Sequence, residues 1–140
     1  MSHFDFRLQR LGVPEMDADH HDLVTIANRI DDLVSKEPFQ ISELAELIEE
    51  FKTHSAAHFA REEAFMESIG FPDIARHRLQ HQRLIAGLDK IFDAVHPGEH
   101  VAVTLRVFMA TWLFEHINKV DSLYAAFAAD CESGLIPKAA

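Results

Sequence analysis

The segment HFAREEAFM, residues 58–66, places an imidazole and a carboxylate within a long amphipathic helical pattern. Residues four apart on an α-helix lie nearly above one another, so His58 and Glu62 project from the same face. That face continues the apolar stripe of the helix, and we expect it to be buried. Because burying these groups is unfavourable unless something compensates them, the segment predicts a metal-binding pair inside the protein.

The helix around this segment is expected to begin with Ser42 as its N-cap and to end at Gly70, a residue that suits the turn after a helix. An amphipathic helix of this length needs other helices against its apolar side. The inward positions recur at helical spacing and are Leu44, Leu47, Ile48, Phe51, Ser55, Phe65 and Ile69.

Three further segments show the same helical period, and short breaks separate them. Four long helices without strand-like alternation predict an all-α protein, an antiparallel up-down-up-down four-helix bundle. The three segments are about Asp17 to Val34, stopped by Glu37 and Pro38; Pro72, in a first turn, to the break at 96–98; and about Glu99 to Ala129.

The chain is expected to form one domain over residues 1–140. Within it we expect an N-terminal arm at 1–15, the bundle over about 17–130 and a flexible tail at 134–140. The residues expected to anchor the arm are Phe4, Phe6 and Leu8.

Composition excludes several classes of protein. No apolar run is long enough for a membrane span, and a net charge of −10 with scattered Lys and Arg argues against nucleic-acid binding. Cys131 is the single cysteine, so a disulfide within the chain and a thiolate metal cage are excluded, and any metal is held by nitrogen and oxygen. No secretory signal pattern is visible at the N-terminus, so we expect a cytoplasmic protein. A monomer is favoured, because no surface stripe of a predicted helix is apolar enough to require a second copy.

All four predicted helices carry metal-binding side chain types on their apolar stripes. Each feature alone has an ordinary explanation, since a lone histidine is usually a core or surface residue and a pair four apart can be solvated. Their coincidence on four stripes points to one metal centre at the bundle axis. Besides His58 and Glu62, the candidates are His20 on the first helix, His77 and His81 on the third, and His116 and Asp121 on the fourth.

Seven candidate ligands are too many for one tetrahedral ion, so they indicate two metal ions. Two octahedral ions offer about twelve positions. Five imidazoles, two bridging carboxylates and one bridging oxygen would fill all but one of them. A single open position on a redox-active metal, surrounded by apolar side chains, suits reversible binding of a small diatomic molecule.

Four motifs together resemble the hemerythrin family, in particular its single-domain bacterial members. They are DADH at 17–20, HFAREEAFM at 58–66, HRLQH at 77–81 and WLFEHINKVD at 112–121. The resemblance covers most of the predicted bundle. It implies a non-heme centre of two iron ions with an oxo or hydroxo bridge, and reversible binding of dioxygen for storage, transport or sensing.

The same resemblance implies a role for each ligand. One iron would have three histidines, the other would have two, and both carboxylates would bridge the two ions. The first set is His77, His81 and His116, the second is His20 and His58, and the bridging residues are Glu62 and Asp121. The resemblance also implies an oxygen pocket at the two-histidine iron, lined by Phe59, Trp112, Leu113 and Ile117.

Two positions fit this pattern less well. His116 and Asp121 are five residues apart, which on a regular helix separates them by roughly 140°. We therefore expect a bulge, a tightened turn or a long reach by Asp121. His54 stands where an aromatic residue is expected in many relatives; it is either a partly exposed polar residue or a group that contacts a ligand from outside.

Other functions are compatible with these residues. A di-iron site could instead act as an enzyme on peroxide or nitric oxide, although the predicted pocket offers little general acid or base. A sensor would need an unidentified protein partner or would act through the arm. Zinc or manganese could also occupy a site of this kind in cells.

Overall fold

The computed structural model describes residues 10–36, 38–93 and 101–135. It is an all-α antiparallel four-helix bundle with up-down-up-down order, as the helical periods predict. The helical elements are α1 Pro14–Val34, α2 Ile41–Ser68, α3 Ile74–Asp93, α4 Val101–Ala110, a π segment Thr111–Asp121 and α5 Ser122–Glu132. The α4, π and α5 segments follow one another directly and form the fourth helix of the bundle. Contacts join α1 to α2, α2 to α3, α3 to α4 and α4 to α1, which closes the ring of helices.

The first helix begins at Pro14, three residues before the expected start. Proline is favoured in the first turn because its missing N–H would have no helical partner there. The Asp17 carboxylate accepts hydrogen bonds from the backbone N–H of Leu11 at 2.7 Å and of Gly12 at 3.1 Å, and so ties the entering chain to the helix. The expected arm therefore ends before Pro14, and its residues 1–9, with the anchors Phe4, Phe6 and Leu8, lie outside the described residues.

The second helix begins at Ile41, so the expectation that Ser42 is the N-cap was wrong. The N-cap is Gln40, whose backbone is extended and whose side chain makes no capping hydrogen bond. The predicted end is confirmed: Gly70 has φ 68°, and Phe71 N–H donates to the Met66 carbonyl at 3.0 Å. This is the Schellman pattern, in which glycine takes the left-handed conformation without steric penalty.

The other helix ends also differ from expectation. Pro72 lies in a turn just before α3, and the helix begins at Ile74. The predicted break at 96–98 lies outside the described residues.

The fourth helix continues to Glu132, three residues beyond the expected end, and Gly134 at φ 83° closes it. Gly134 and Leu135 thus belong to a helix end rather than to a loose tail, and residues 136–140 are not described.

The apolar core is divided into two clusters along the bundle axis. The larger includes Leu23, Phe59 and Ile117, and the smaller includes Met16, Met66 and Tyr124. His20, Glu62 and Asp121 each fall between a member of one cluster and a member of the other in the sequence. A polar layer therefore separates the two. Within the described residues, no helix is both long and apolar enough to cross a membrane.

Candidate metal centre

All seven predicted ligands converge in the layer between the two apolar clusters. None is more than 5% exposed. Their ligand-type atoms fall into two overlapping groups, within each of which all atoms lie within 4.8 Å of one another. One group is His20, His58, Glu62 and Asp121; the other is Glu62, His77, His81, His116 and Asp121.

Glu62 divides its two carboxylate oxygens between the groups. Its Oε2 lies 3.3 Å from Nε2 of His58 and 3.6 Å from Nε2 of His20. Its Oε1 lies 3.1 Å from Nε2 of His81 and 3.9 Å from Nε2 of His77. One oxygen faces two histidines, and the other faces a different pair.

The two carboxylate oxygens of Asp121 also face different histidine groups. Its Oδ2 lies 3.3 Å from Nε2 of His20, while its Oδ1 lies 2.9 Å from Nε2 of His77 and 3.1 Å from Nε2 of His116. Each carboxylate thus touches both histidine groups. This geometry separates two histidines from three and lets both carboxylates connect the two sets.

The π segment explains how His116 and Asp121 can serve one centre. In a π-helix the hydrogen bonds run from i to i+5, so residues five apart lie closer to one face than in an α-helix. Both residues belong to the run Thr111–Asp121 that takes this form. The predicted irregularity is confirmed, and its form is a widened helix rather than a tightened turn.

Asp19 supports His58 from the first helix. The His58 Nδ1–H donates to Asp19 Oδ2 at 2.8 Å, and Arg61 donates to both oxygens of Asp19, also at 2.8 Å. Burial raises the pKa of Asp19, but Arg61 and His58 outweigh this and hold it below its ordinary value. An ionised carboxylate here fixes which ring nitrogen carries the proton and leaves Nε2 free for a metal.

Glu63 plays the corresponding part for His81. The His81 Nδ1–H donates to Glu63 Oε2 at 2.8 Å, and Arg78 Nε donates to Glu63 Oε1 at 3.2 Å. The acid is on α2 and both of its partners are on α3, so this contact also joins two helices. It orients the His81 ring as Asp19 orients the His58 ring.

Tyr124 contacts the centre from α5. Its buried hydroxyl donates to Glu62 Oε2 at 2.6 Å. Burial, together with the negative charges of Glu62 and Asp121, raises the pKa of Tyr124 far above its ordinary value. The phenol therefore stays protonated and acts as a hydrogen-bond donor.

Without a metal ion the cluster is poorly satisfied. The Nε2 atoms of all five histidines, Oε1 of Glu62 and both oxygens of Asp121 are buried without a geometrically acceptable hydrogen bond. Burial lowers the pKa of His20, but contacts with Asp121 and Glu62 raise it to about 9. Burial raises the pKa of Glu62, and its histidine neighbours bring it well below its ordinary value. Unpaired nitrogens and carboxylate oxygens directed at one another fit a pair of cations.

The four residues expected to line a pocket are all buried, and the two aromatic ones contact histidines of the cluster. Phe59 stacks on the His81 ring at a centroid distance of 3.8 Å and on Trp112 at 5.2 Å. Trp112 also meets the edge of His116 at 5.7 Å. Leu113 and Ile117 are fully buried. Aromatic surface therefore lies against His81 and His116.

Sequence reasoning missed the outer contacts of the centre. His54 is exposed, so the structure does not bring it to the cluster as a supporting group. The supporting groups are Asp19, Glu63 and Tyr124. Asp19 directly precedes one ligand and Glu63 directly follows another. That adjacency was a visible signal, since carboxylates commonly orient ligating histidines.

Comparisons with known proteins identify the family of the chain. The family model described as the hemerythrin HHE cation binding domain matches residues 11–128. The bacteriohemerythrin of Stenotrophomonas maltophilia is 30% identical over 115 residues, covering 82% of this chain and 74% of the relative. That of Clostridium acetobutylicum is 28% identical over 118 residues, with 81% and 92% covered. A crystal structure of a hemerythrin variant superposes with a TM-score of 0.69 at 25% identity, covering 91% and 95% of the two chains.

Proposed function

The chain belongs to the hemerythrin family, and from this premise we propose that it binds dioxygen reversibly at a non-heme di-iron centre. The observation that carries the proposal is the division of Glu62 and Asp121 between a two-histidine and a three-histidine group. Such a donor set suits two ions with unequal coordination, one of them able to accept an additional ligand. When bound, the iron ions supply the open position and the electrons that dioxygen binding requires.

The chain's own residues hold and separate the two ions. His77, His81 and His116 would hold one ion, and His20 and His58 the other. Glu62 and Asp121 would connect them, together with an oxo or hydroxo bridge. Because these seven residues come from all four helices, the packing of the bundle would set how the two ions are held relative to each other.

The apolar side chains beside the cluster would keep water and protons away from bound dioxygen. Phe59, Trp112, Leu113 and Ile117 carry neither a carboxylate nor a hydroxyl group. Without a proton donor among these four side chains, reduction of the ligand to a released product is slowed, which favours binding over turnover. This supports an oxygen-binding role over an enzyme acting on peroxide or nitric oxide.

The visible absorption spectrum of the iron-loaded protein tests the proposal. We expect two iron ions per chain and charge-transfer bands that appear with oxygen and disappear when oxygen is removed. His20→Ala should abolish these bands, whereas His21→Ala, at the exposed neighbouring position, should leave them unchanged. Rapid, irreversible oxidation of the wild-type protein, or fast turnover of hydrogen peroxide or nitric oxide without a stable oxygen-bound form, would contradict the proposal.

A further inference from the structure

A cavity lies at the surface between α3 and the π segment, with a volume of about 360 Å³. Ligand pockets in proteins usually begin near this size. Leu84 and Val120 give it apolar surface, and His116 of the metal centre forms part of its wall. The cavity therefore extends from the surface to one histidine of the centre.

The charge of this cavity is unlike that of the whole chain. Arg83 lines it and, within the parts of the chain that the structure describes, forms no hydrogen bond or ion pair. Lys119 also lines it, but its ammonium group lies 2.8 Å from Glu115, so these two charges offset each other. One uncompensated positive charge stands here on a chain whose net charge is −10. Such a site favours an anion.

His116 provides a second reason to expect an anion. The Nδ1–H groups of His58 and His81 each donate to a carboxylate of the protein. His116, like His20 and His77, has no such carboxylate among the described residues, but of these three it is the one that lines the cavity, while its Nε2 faces Asp121 like a metal ligand. Ligating histidines usually donate their other ring N–H to an acceptor. An acceptor for His116 can enter through the cavity that its ring borders.

We propose that this cavity binds a small monocarboxylate with an apolar body. Its carboxylate would pair with Arg83 and accept a hydrogen bond from His116, while its apolar part lies against Leu84 and Val120. The binding itself stands apart from the proposed function. Its consequence rests on that function: a carboxylate on the His116 N–H makes the imidazole a stronger donor to iron and lowers the reduction potential of the centre.

Calorimetric titration of the metal-loaded protein with benzoate tests the binding. Benzamide, which has the same shape without the charge, is the matched control ligand. We expect benzoate to bind and benzamide not to bind. Arg83→Met should weaken benzoate binding by about tenfold or more, and Arg83→Lys should restore part of it. Arg76→Met, at another exposed position of α3, should have no effect.

Either of two results would overturn the proposal: equal binding of benzoate and benzamide, or benzoate binding that Arg83→Met leaves unchanged. Absence of benzoate binding at millimolar concentration would overturn it as well. The iron spectrum provides a separate readout, since bound benzoate should shift the absorption bands in wild type and not in Arg83→Met. If benzoate binds through Arg83 but no reversible oxygen bands appear, the pocket stands and the oxygen-binding function fails. If reversible oxygen bands appear but benzoate does not bind through Arg83, only the proposed carboxylate pocket is overturned.

Discussion

The second helix and the π segment place the same chemistry with two different backbones. Helix α2 presents His58 and Glu62 four residues apart on a regular α-helix. The π segment presents His116 and Asp121 five residues apart and needs a widened turn to do so. Because π-helices are rare and commonly mark functional sites, the difference teaches that ligand geometry, not helix stability, determines the backbone of the fourth helix here.

The two elements also differ in what stands behind their histidines. His58 is held by Asp19, which is itself held by two hydrogen bonds from Arg61. His116 faces Asp121 through Nε2, but its Nδ1 has no carboxylate partner among the described residues, and the residue borders a surface cavity. We infer that α2 supplies the rigid part of the centre and the π segment the adjustable part.

The largest expected effect comes from removing the carboxylate of either element. Glu62→Ala and Asp121→Ala should each reduce metal loading from two ions per chain to one or none, because each carboxylate faces both histidine groups. Metal analysis of the purified variants measures this. Glu49→Ala on α2 and Glu115→Ala on the π segment, both exposed, should retain full loading. If only one of the two carboxylates matters, the two elements are not equivalent.

A smaller effect is expected from the support of the α2 histidine. Asp19→Asn removes the negative charge behind His58 and should weaken metal binding by about 10–100-fold. Competition with a metal chelator measures the affinity. Asp22→Asn, three residues further along α1 and exposed, is the control. Unchanged affinity in Asp19→Asn would show that the rigid part of the centre does not depend on this contact.

Tyr124 links the fourth helix to α2, and its removal should affect stability more than metal binding. Tyr124→Phe deletes the hydrogen bond to Glu62 and should lower the free energy of unfolding of the metal-free protein by about 1–3 kcal/mol. Urea denaturation measures it. Ser55→Ala removes another buried hydroxyl, one without a hydrogen-bond partner, and should be close to neutral. Similar losses in both variants would argue against a specific role for the Tyr124 contact.

The smallest effect concerns backbone dynamics. In the metal-free protein, amide hydrogens of Thr111–Asp121 should exchange faster than those of the central part of α2. Metal loading should slow the π segment more than α2, because it fixes His116 and Asp121 in place. Hydrogen exchange read by mass spectrometry compares the two peptides. Equal exchange in both states would remove the distinction between a rigid and an adjustable element.

Much of this molecule was predictable from helical spacing. The stripe of Leu23, Val24, Ala27 and Ile30 is buried as its period indicates, and all seven candidate ligands lie together. The irregularity between His116 and Asp121 followed from their spacing alone. Periodicity performs well here because it reports which face of a helix is apolar, and the ligands lie on those same faces.

The helix ends and the outer contacts were harder to predict. Ser42 has the chemistry of an N-cap, but the helix begins one residue before it, since capping preference is small beside tertiary packing. Tyr124 meets Glu62 across the bundle, and no spacing within one helix reveals a contact between two helices. His54 shows the limit of sequence proximity: it lies one turn before His58 but is exposed, which agrees with the reading of it as a polar surface residue.

The spread of the ligands along the chain has a consequence for biosynthesis. His20, His58 and Glu62 lie on the first two helices, whereas His116 and Asp121 lie on the last. A ribosome therefore makes both histidines of one group long before the last histidine of the other and before Asp121, which both groups share. An ion captured early would meet an incomplete set of donors, so correct loading with two ions has to wait until residue 121 has been made and the fourth helix has docked.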